Sequence, residues 1–299
     1  MLRPFVTLLL VGLALGGCGS TDESSSSADL RVVATTTQVA DLVRNVGGAR
    51  VEVEGILAPD ADPHDYEPRP SDAAELADAA VVFKSGGDLD EWLDDLIESA
   101  GADSEVVTLF ERVRQRGGDP HWWHDPRNAV LATEAIRDAL IEADPGGRAG
   151  YERNARRYSE RLRALDRQLE ACIARVPPAK RKIVTTHDSL AYFADRYGVG
   201  VTGAVISSSS TQAQPSAKDI NALVDQVERE DVEAIFPEAA LGDELERAVS
   251  REASAEVGAP LFTDSLSPEG TPASTYLGMM RENTRRLALG MSGGTLDCF

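Results

Sequence analysis

The 299 residues include four histidines, each in a short motif with an acid beside or near it: Pro63-His64-Asp65, His121-Trp122-Trp123-His124-Asp125 and Thr186-His187-Asp188. Neutral imidazole is a common ligand for Zn²⁺ and also serves Mn²⁺ or Fe²⁺, so three separated loops of this kind can converge on one ion. Asp264-Ser265 supplies a carboxylate in a comparable position after an apolar segment. His64, His121, His187 and Asp264 are therefore the candidate metal ligands. The competing reading makes each histidine a hydrogen-bonded loop residue, which serves for any one of them but leaves their joint placement unexplained.

His121 and His124 have i, i+3 spacing, which on a helix allows chelation of one ion. Their loop precedes an apparent helix cap, so His124, like Glu67 and Glu238, is a candidate extra ligand or a neighbour of the site. Asp125 before Pro126, and Asp188 before Ser189-Leu190-Ala191, read as helix N-caps. Asp65 serves loop backbone or solvent, and Trp122 and Trp123 are expected to anchor the core or wall a cleft. The chain contains no His-Glu-x-x-His and no Gly-x-x-x-x-Gly-Lys-Ser/Thr, so it is not expected to be an enzyme. A zinc hydrolase would need an open coordination position and a base, for which Glu67 or Glu238 would have to serve.

Positioning such ligands calls for strands that end in loops. Leu30–Ala34, Val51–Ile56, Ala80–Phe83 and Val106–Leu109 read as strands. Ser71-Asp72-Ala73-Ala74-Glu75 carries a capping-box pattern that opens a helix among them. A second set covers Lys182–Thr186, Gly200–Ile206, Glu233–Phe236 and Pro260–Thr263. Strands alternating with helices imply parallel sheets, in which ligands gather outside the carboxyl ends of strands. Between the two sets, Asp144-Pro145 opens a stretch of about 30 residues with Tyr151, Ala155, Tyr158, Leu162, Leu165 and Leu169 at helical spacing. At 1.5 Å per residue this helix spans about 45 Å. The expected fold is α/β: two Rossmann-like lobes with parallel sheets, joined by a single long rigid helix. Each lobe gives two ligands, and the metal site lies in the interlobe cleft. The expected divisions are an N-terminal lobe over 29–143, a linking helix over 144–176 and a C-terminal lobe over 177–299.

Residues 1–17 carry Arg3, an apolar run from Phe5 to Leu15 and Gly16-Gly17 before Cys18, which reads as a signal peptide. The run is short of the roughly 20 apolar residues of a spanning helix. Leu15-Gly16-Gly17-Cys18 is similar to the lipobox of bacterial lipoproteins and makes Cys18 a lipidation site. Residues 18–28 form a polar, serine-rich tether with a reach of about 16–19 Å. The net charge is −20, and no basic stripe is available to neutralise phosphates, so nucleic acid is not expected as a partner. Cys172 and Cys298 can pair in an extracytoplasmic setting or remain free.

Taken together, Asp62-Pro63-His64-Asp65-Tyr66-Glu67-Pro68, the run from Asp119 to Ala129, Thr186-His187-Asp188 with Tyr192-Phe193 and Tyr197-Gly198, and Asp264-Ser265-Leu266-Ser267 resemble the solute-binding lipoproteins of bacterial zinc and manganese ABC importers. The resemblance runs from about residue 30 to 290. It implies the same two lobes and helix, with an ion held by His64, His121, His187 and Asp264. It also implies delivery of Zn²⁺, or next Mn²⁺, to a membrane permease by a monomeric, lipid-anchored extracytoplasmic protein. Three imidazoles tilt the reading towards zinc, since some manganese-binding relatives carry a carboxylate where His187 stands. The segment from Glu111 to Asp119 is short and lacks the histidines of a metal-scavenging loop. A metal-chelate (siderophore-type) carrier and a surface adhesin of the same fold are the alternatives.

Overall fold

The computed structural model describes Met1 and residues 30–101 and 103–299. The residues read as a signal peptide, beyond Met1, and as a tether, with Cys18, lie outside the described residues. β1 (Leu30–Ala34), β2 (Val51–Gly55), β3 (Val81–Lys84) and β4 (Glu105–Thr108) form a parallel sheet in the order β2-β1-β3-β4. α1 (Thr37–Gly47), α2 (Pro70–Ala77), α3 (Trp92–Ala100) and α4 (Pro126–Ala143) accompany it. α5 (Arg148–Ile173) then leads to the second parallel sheet: β5 (Lys182–His187), β6 (Gly200–Ile206), β7 (Ala234–Phe236) and β8 (Glu256–Val257), ordered β6-β5-β7-β8. α6 (Ala191–Tyr197), α7 (Ala217–Glu230), α8 (Glu244–Ala253) and α9 (Tyr276–Met291) complete the fold.

Alternation along the strands sorts residues onto two faces. Val32, Val81 and Phe83 face a central core, whereas Val33 and Val82 join Leu76 and Leu93 under α2 and α3. In the second sheet Ile183, Ala234 and Phe236 face the same central core, while Val184 and Ile235 pack with Leu223, Val227 and Val249 from α7 and α8. α5 runs through the middle, burying Tyr151, Tyr158, Leu162, Leu165 and Leu169 in that shared core. One apolar interior therefore belongs to both lobes. The chain also crosses back: Leu266 N donates to Thr37 Oγ1 at 2.8 Å, Asp60 N to Leu266 O at 3.1 Å, and Tyr276 N to Asp41 Oδ2 at 3.1 Å.

Several elements differ locally from the sequence expectation. Pro260–Thr263 is not a regular strand: Leu261 makes an isolated bridge to Glu238, and Glu256–Val257 takes the edge position. Pro260 has no N–H to give a ladder. α5 has 26 residues, about 39 Å, because Pro145–Gly147 forms a separate 3₁₀ turn. Asp144 does not cap that turn. Its carboxylate accepts from Arg50, with Nη2 at 3.0 Å, and from Tyr151 Oη at 2.7 Å. Ser71 lies inside α2, where Asp72 closes the first turn by accepting from Arg69 N at 2.7 Å. Asp188 caps nothing, since α6 starts after Leu190, but Asp125 does cap α4 by accepting from Arg127 N at 2.9 Å. Cys172 and Cys298 are joined by a disulfide, with Cα atoms 5.6 Å apart.

A core common to both lobes predicts one cooperative unfolding transition. Leu165→Ala, at a site with no exposure, is expected to cost about 2–5 kcal/mol and to leave the transition single. Calorimetry resolving two separate transitions would contradict the shared core.

Candidate metal centre

Each donor sits where backbone structure ends. His64 lies in the 3₁₀ turn Pro63–Asp65 after β2, and His121 in the loop leading to α4. His187 is the last residue of β5, and Asp264 follows the extended segment that runs beside Glu238. The two Asp-Pro-His loops are built alike. Asp62 Oδ1 accepts from His64 N at 2.9 Å, and Asp119 Oδ1 accepts from His121 N at 3.0 Å. In each, the aspartate two residues upstream fixes the backbone that presents the imidazole. This repeated Asp-Pro-His was visible in the sequence, but the role of Asp62 and Asp119 was missed.

One donor atom from each of His64, His121, His187 and Asp264 lies within 4.8 Å of the others. Asp264 Oδ2 is 3.1 Å from His187 Nε2 and 3.7 Å from His64 Nε2, and Oδ1 is 3.3 Å from His121 Nε2. The Nε2 atoms of His121 and His187 are 3.3 Å apart. Metal–nitrogen bonds of about 2.0–2.1 Å in a tetrahedron set neighbouring donors about 3.3–3.4 Å apart, and the separations among His121, His187 and Asp264 lie near that edge, with His64 farther out. Both oxygens of Asp264 and Nε2 of His64 are buried without an aligned hydrogen-bond partner despite these short approaches. Lone pairs that close together and unsatisfied by hydrogen bonds are arranged for a shared cation. His121 and His187 are fully buried and Asp264 is 1% exposed, whereas His64 is only partly buried and so is the donor nearest solvent.

The surroundings hold the donors in place. Asp119 Oδ1 is 2.8 Å from His121 Nδ1, which assigns the proton to Nδ1 and leaves Nε2 for the site. The Thr263 carbonyl, one residue before Asp264, accepts from Trp123 Nε1 at 2.9 Å and from His124 Nε2 at 3.0 Å. His124 thus spends its Nε2 on backbone and is not brought into the donor cluster. Glu238 accepts from Thr263 N at 3.2 Å and from Thr263 Oγ1, so it braces Asp264 from behind. Glu67 is exposed and stands outside the cluster. Across the cleft, Thr211 Oγ1 donates to Asp62 Oδ2 at 2.6 Å and Gln212 Nε2 to Asp65 Oδ1 at 3.2 Å, tying the His64 loop to the second lobe.

Burial and charge separate the titrations. Burial lowers the His64 pKa to about 4, against the opposing pull of Asp264. Burial likewise takes His124 down to about 3. It would lower His121 too, but the nearby carboxylates of Asp119 and Asp264 outweigh it and raise that imidazole to about 9. Burial would raise Asp264, yet His187 and His121 hold its carboxyl well below the ordinary range. Glu238 is pushed well up by burial and then by the Asp264 charge.

Comparison with known proteins matches this architecture. A family model described as "ZnuA: Zinc-uptake complex component A periplasmic" covers residues 32–290. The chain belongs to this family. A relative from Streptococcus sanguinis, the metal ABC transporter substrate-binding lipoprotein SsaB, is 30% identical over 96% of this chain and 98% of its own length. The manganese-binding lipoprotein MntA of Halalkalibacterium halodurans is 31% identical over 95% of this chain and 97% of its own. The fold is shared with the periplasmic zinc-binding protein TroA of Treponema pallidum, at a TM-score of 0.83 and 24% identity over 88% of this chain and 99% of that one. The family is one of substrate-binding transport proteins, and among the described residues no helix is long and apolar enough to cross a membrane.

At neutral pH the cluster carries a proton on His121 that a metal must displace. Metal binding at pH 7 is therefore expected to release about one proton, and affinity should rise about tenfold per pH unit towards pH 9. Calorimetry in buffers of different ionisation enthalpy measures this directly. Asp119→Asn removes the charge that supports the proton, so it should release less than one proton and weaken binding about 10–100-fold. Unchanged proton release in that variant would contradict the assignment of Asp119.

Proposed function

We propose that His64, His121, His187 and Asp264 together hold a divalent transition-metal ion, Zn²⁺ first and Mn²⁺ next, as cargo for an ABC importer. The observation that carries this is the cluster of three imidazole nitrogens and one carboxylate within 4.8 Å of one another, with His121, His187 and Asp264 buried. Four protein ligands leave no coordination position for a reactive water, which favours holding an ion over hydrolysis and supports a carrier that is not an enzyme. The burial of His121, His187 and Asp264 suits a bare ion and gives an organic chelate no room among the donors, which counts against the siderophore-type reading.

Charge balance sets how the ion is kept. Asp264 stays ionised in the apolar interior, and its compensating charge is a proton on His121 or the metal, not both. Acid favours release, and so does any movement that withdraws one donor. His64, on a turn tied across the cleft by Thr211 and Gln212, is the donor whose loop can shift with the least disturbance of the core. The relatives are named lipoproteins, which supports a lipid anchor at Cys18 that keeps the protein outside the cytoplasmic membrane near its permease.

Titration of the metal-stripped protein with Zn²⁺ and Mn²⁺ in competition tests the reading. One-to-one binding is expected, weakened more than about 100-fold by His187→Ala or Asp264→Ala and within about twofold of unchanged in Glu67→Ala. Absence of binding for either ion would sink the free-metal reading, and an equal loss in Glu67→Ala would move the site.

A further inference from the structure

The net charge of −20 conceals one strongly basic surface. α5 holds seven arginines against four acids, and its sequence spacing sorts them. The buried side carries Tyr151, Tyr158, Leu162, Leu165 and Leu169. Arg153, Arg156, Arg157, Arg163 and Arg167 project from the opposite, exposed side, with Glu160 the acid among them. Of these five, Arg163 reaches Glu134 at 4.0 Å, and among the described residues Arg153, Arg156, Arg157 and Arg167 form no ion pair. The reading that no basic stripe exists is thus corrected, because the stripe is set by helical periodicity and vanishes in a count of charges.

The position of this face suggests what it meets. The chain enters the described fold at Leu30, which pairs with Val51 in β2. The turn just before Val51 packs on α5: Asn154 Nδ2 donates to Val46 O at 2.9 Å and stands 3.1 Å from where a Cβ on Gly48 would be. Arg153 and Arg157 flank Asn154. The segment that leads back to Cys18 therefore joins the body beside the basic end of α5.

We propose that the exposed arginine face of α5 docks on the anionic headgroups of the membrane surface, laying the linking helix against the bilayer. Each arginine near such a surface contributes about as much as a juxtamembrane basic residue. The acidic remainder of the molecule does not cancel this, because salt screens charges beyond about 8 Å and a helix is itself about 10 Å across. Guanidinium groups match phosphate oxygens in bidentate geometry, which lysines would not. The orientation relative to the membrane rests on anchoring through Cys18; the affinity of the face for anionic lipid does not.

The test uses the unacylated chain from Gly19 onward, which keeps every described element because all begin at or after Leu30. It is sedimented with vesicles of equal parts phosphatidylglycerol and phosphatidylcholine, or of phosphatidylcholine alone. Two triple variants lose the same charge: Arg153→Gln with Arg157→Gln and Arg167→Gln on α5, and Lys218→Gln with Arg229→Gln and Arg251→Gln on the exposed surface of the second lobe. The parent chain should bind the anionic vesicles at about 0.05 M salt and lose them at about 0.5 M. The α5 triple should bind at least about tenfold more weakly and the other triple about as the parent does. No binding by the parent chain, equal loss in both triples, or equal competition by soluble polyphosphate would overturn the proposal. Metal titration of the α5 triple keeps the two readings apart, since its affinity for Zn²⁺ should be unchanged.

Discussion

A carboxylate ionised inside an apolar interior must have a cation beside it, and Asp264 is that carboxylate. It sits between two lobes among three imidazoles, and the residues behind it serve to keep it charged and aimed. Glu238, close by and equally buried, has its carboxyl pushed well above the ordinary range by burial and by the Asp264 charge. Trp123 and His124 grip the preceding carbonyl from the first lobe, so the second lobe's carboxylate is partly positioned by the first. The two lobes are in this sense one binding device whose halves cannot be assigned separate duties.

The packing bears on how such a protein can move. A core continuous through both sheets, a helix with one face buried along its length and hydrogen bonds returning from Leu266 and Tyr276 to Thr37 and Asp41 of α1 all resist wide opening. Wide hinge motion would have to expose that interior, at a cost set by its apolar area. Short turns at strand ends carry no such cost. The Asp-Pro-His turn with His64 is the part of the site that joins the least complete burial among the donors to contacts made by side chains of the opposite lobe.

Much of this was legible in the sequence, for identifiable reasons. Rare histidines beside acids, each after an apolar run, marked the donor loops, and alternation of strands with helices marked two parallel sheets. Asp125 before Pro126 read correctly as a cap because cap and proline are both local signals. What escaped depended on contacts between distant segments. Pro260–Thr263 has the composition of a strand but lacks a partner ladder, and Asp144 gives its oxygens to Arg50 and Tyr151 instead of a helix N-terminus. Asp119 matters because its side chain meets the imidazole two residues on, a choice that depends on backbone geometry. The arginines of α5 were in plain view, but only the buried face of the helix was used to recognise it.

The bond between Cys172 and Cys298 has a temporal meaning. It fastens the end of the linking helix to a residue 126 positions later, beyond α9, so it can close only after the whole second lobe has been synthesised. The reducing cytosol disfavours that linkage. The closed ring is thus a chemical record that the chain was finished, and a molecule truncated before Cys298 would lack it.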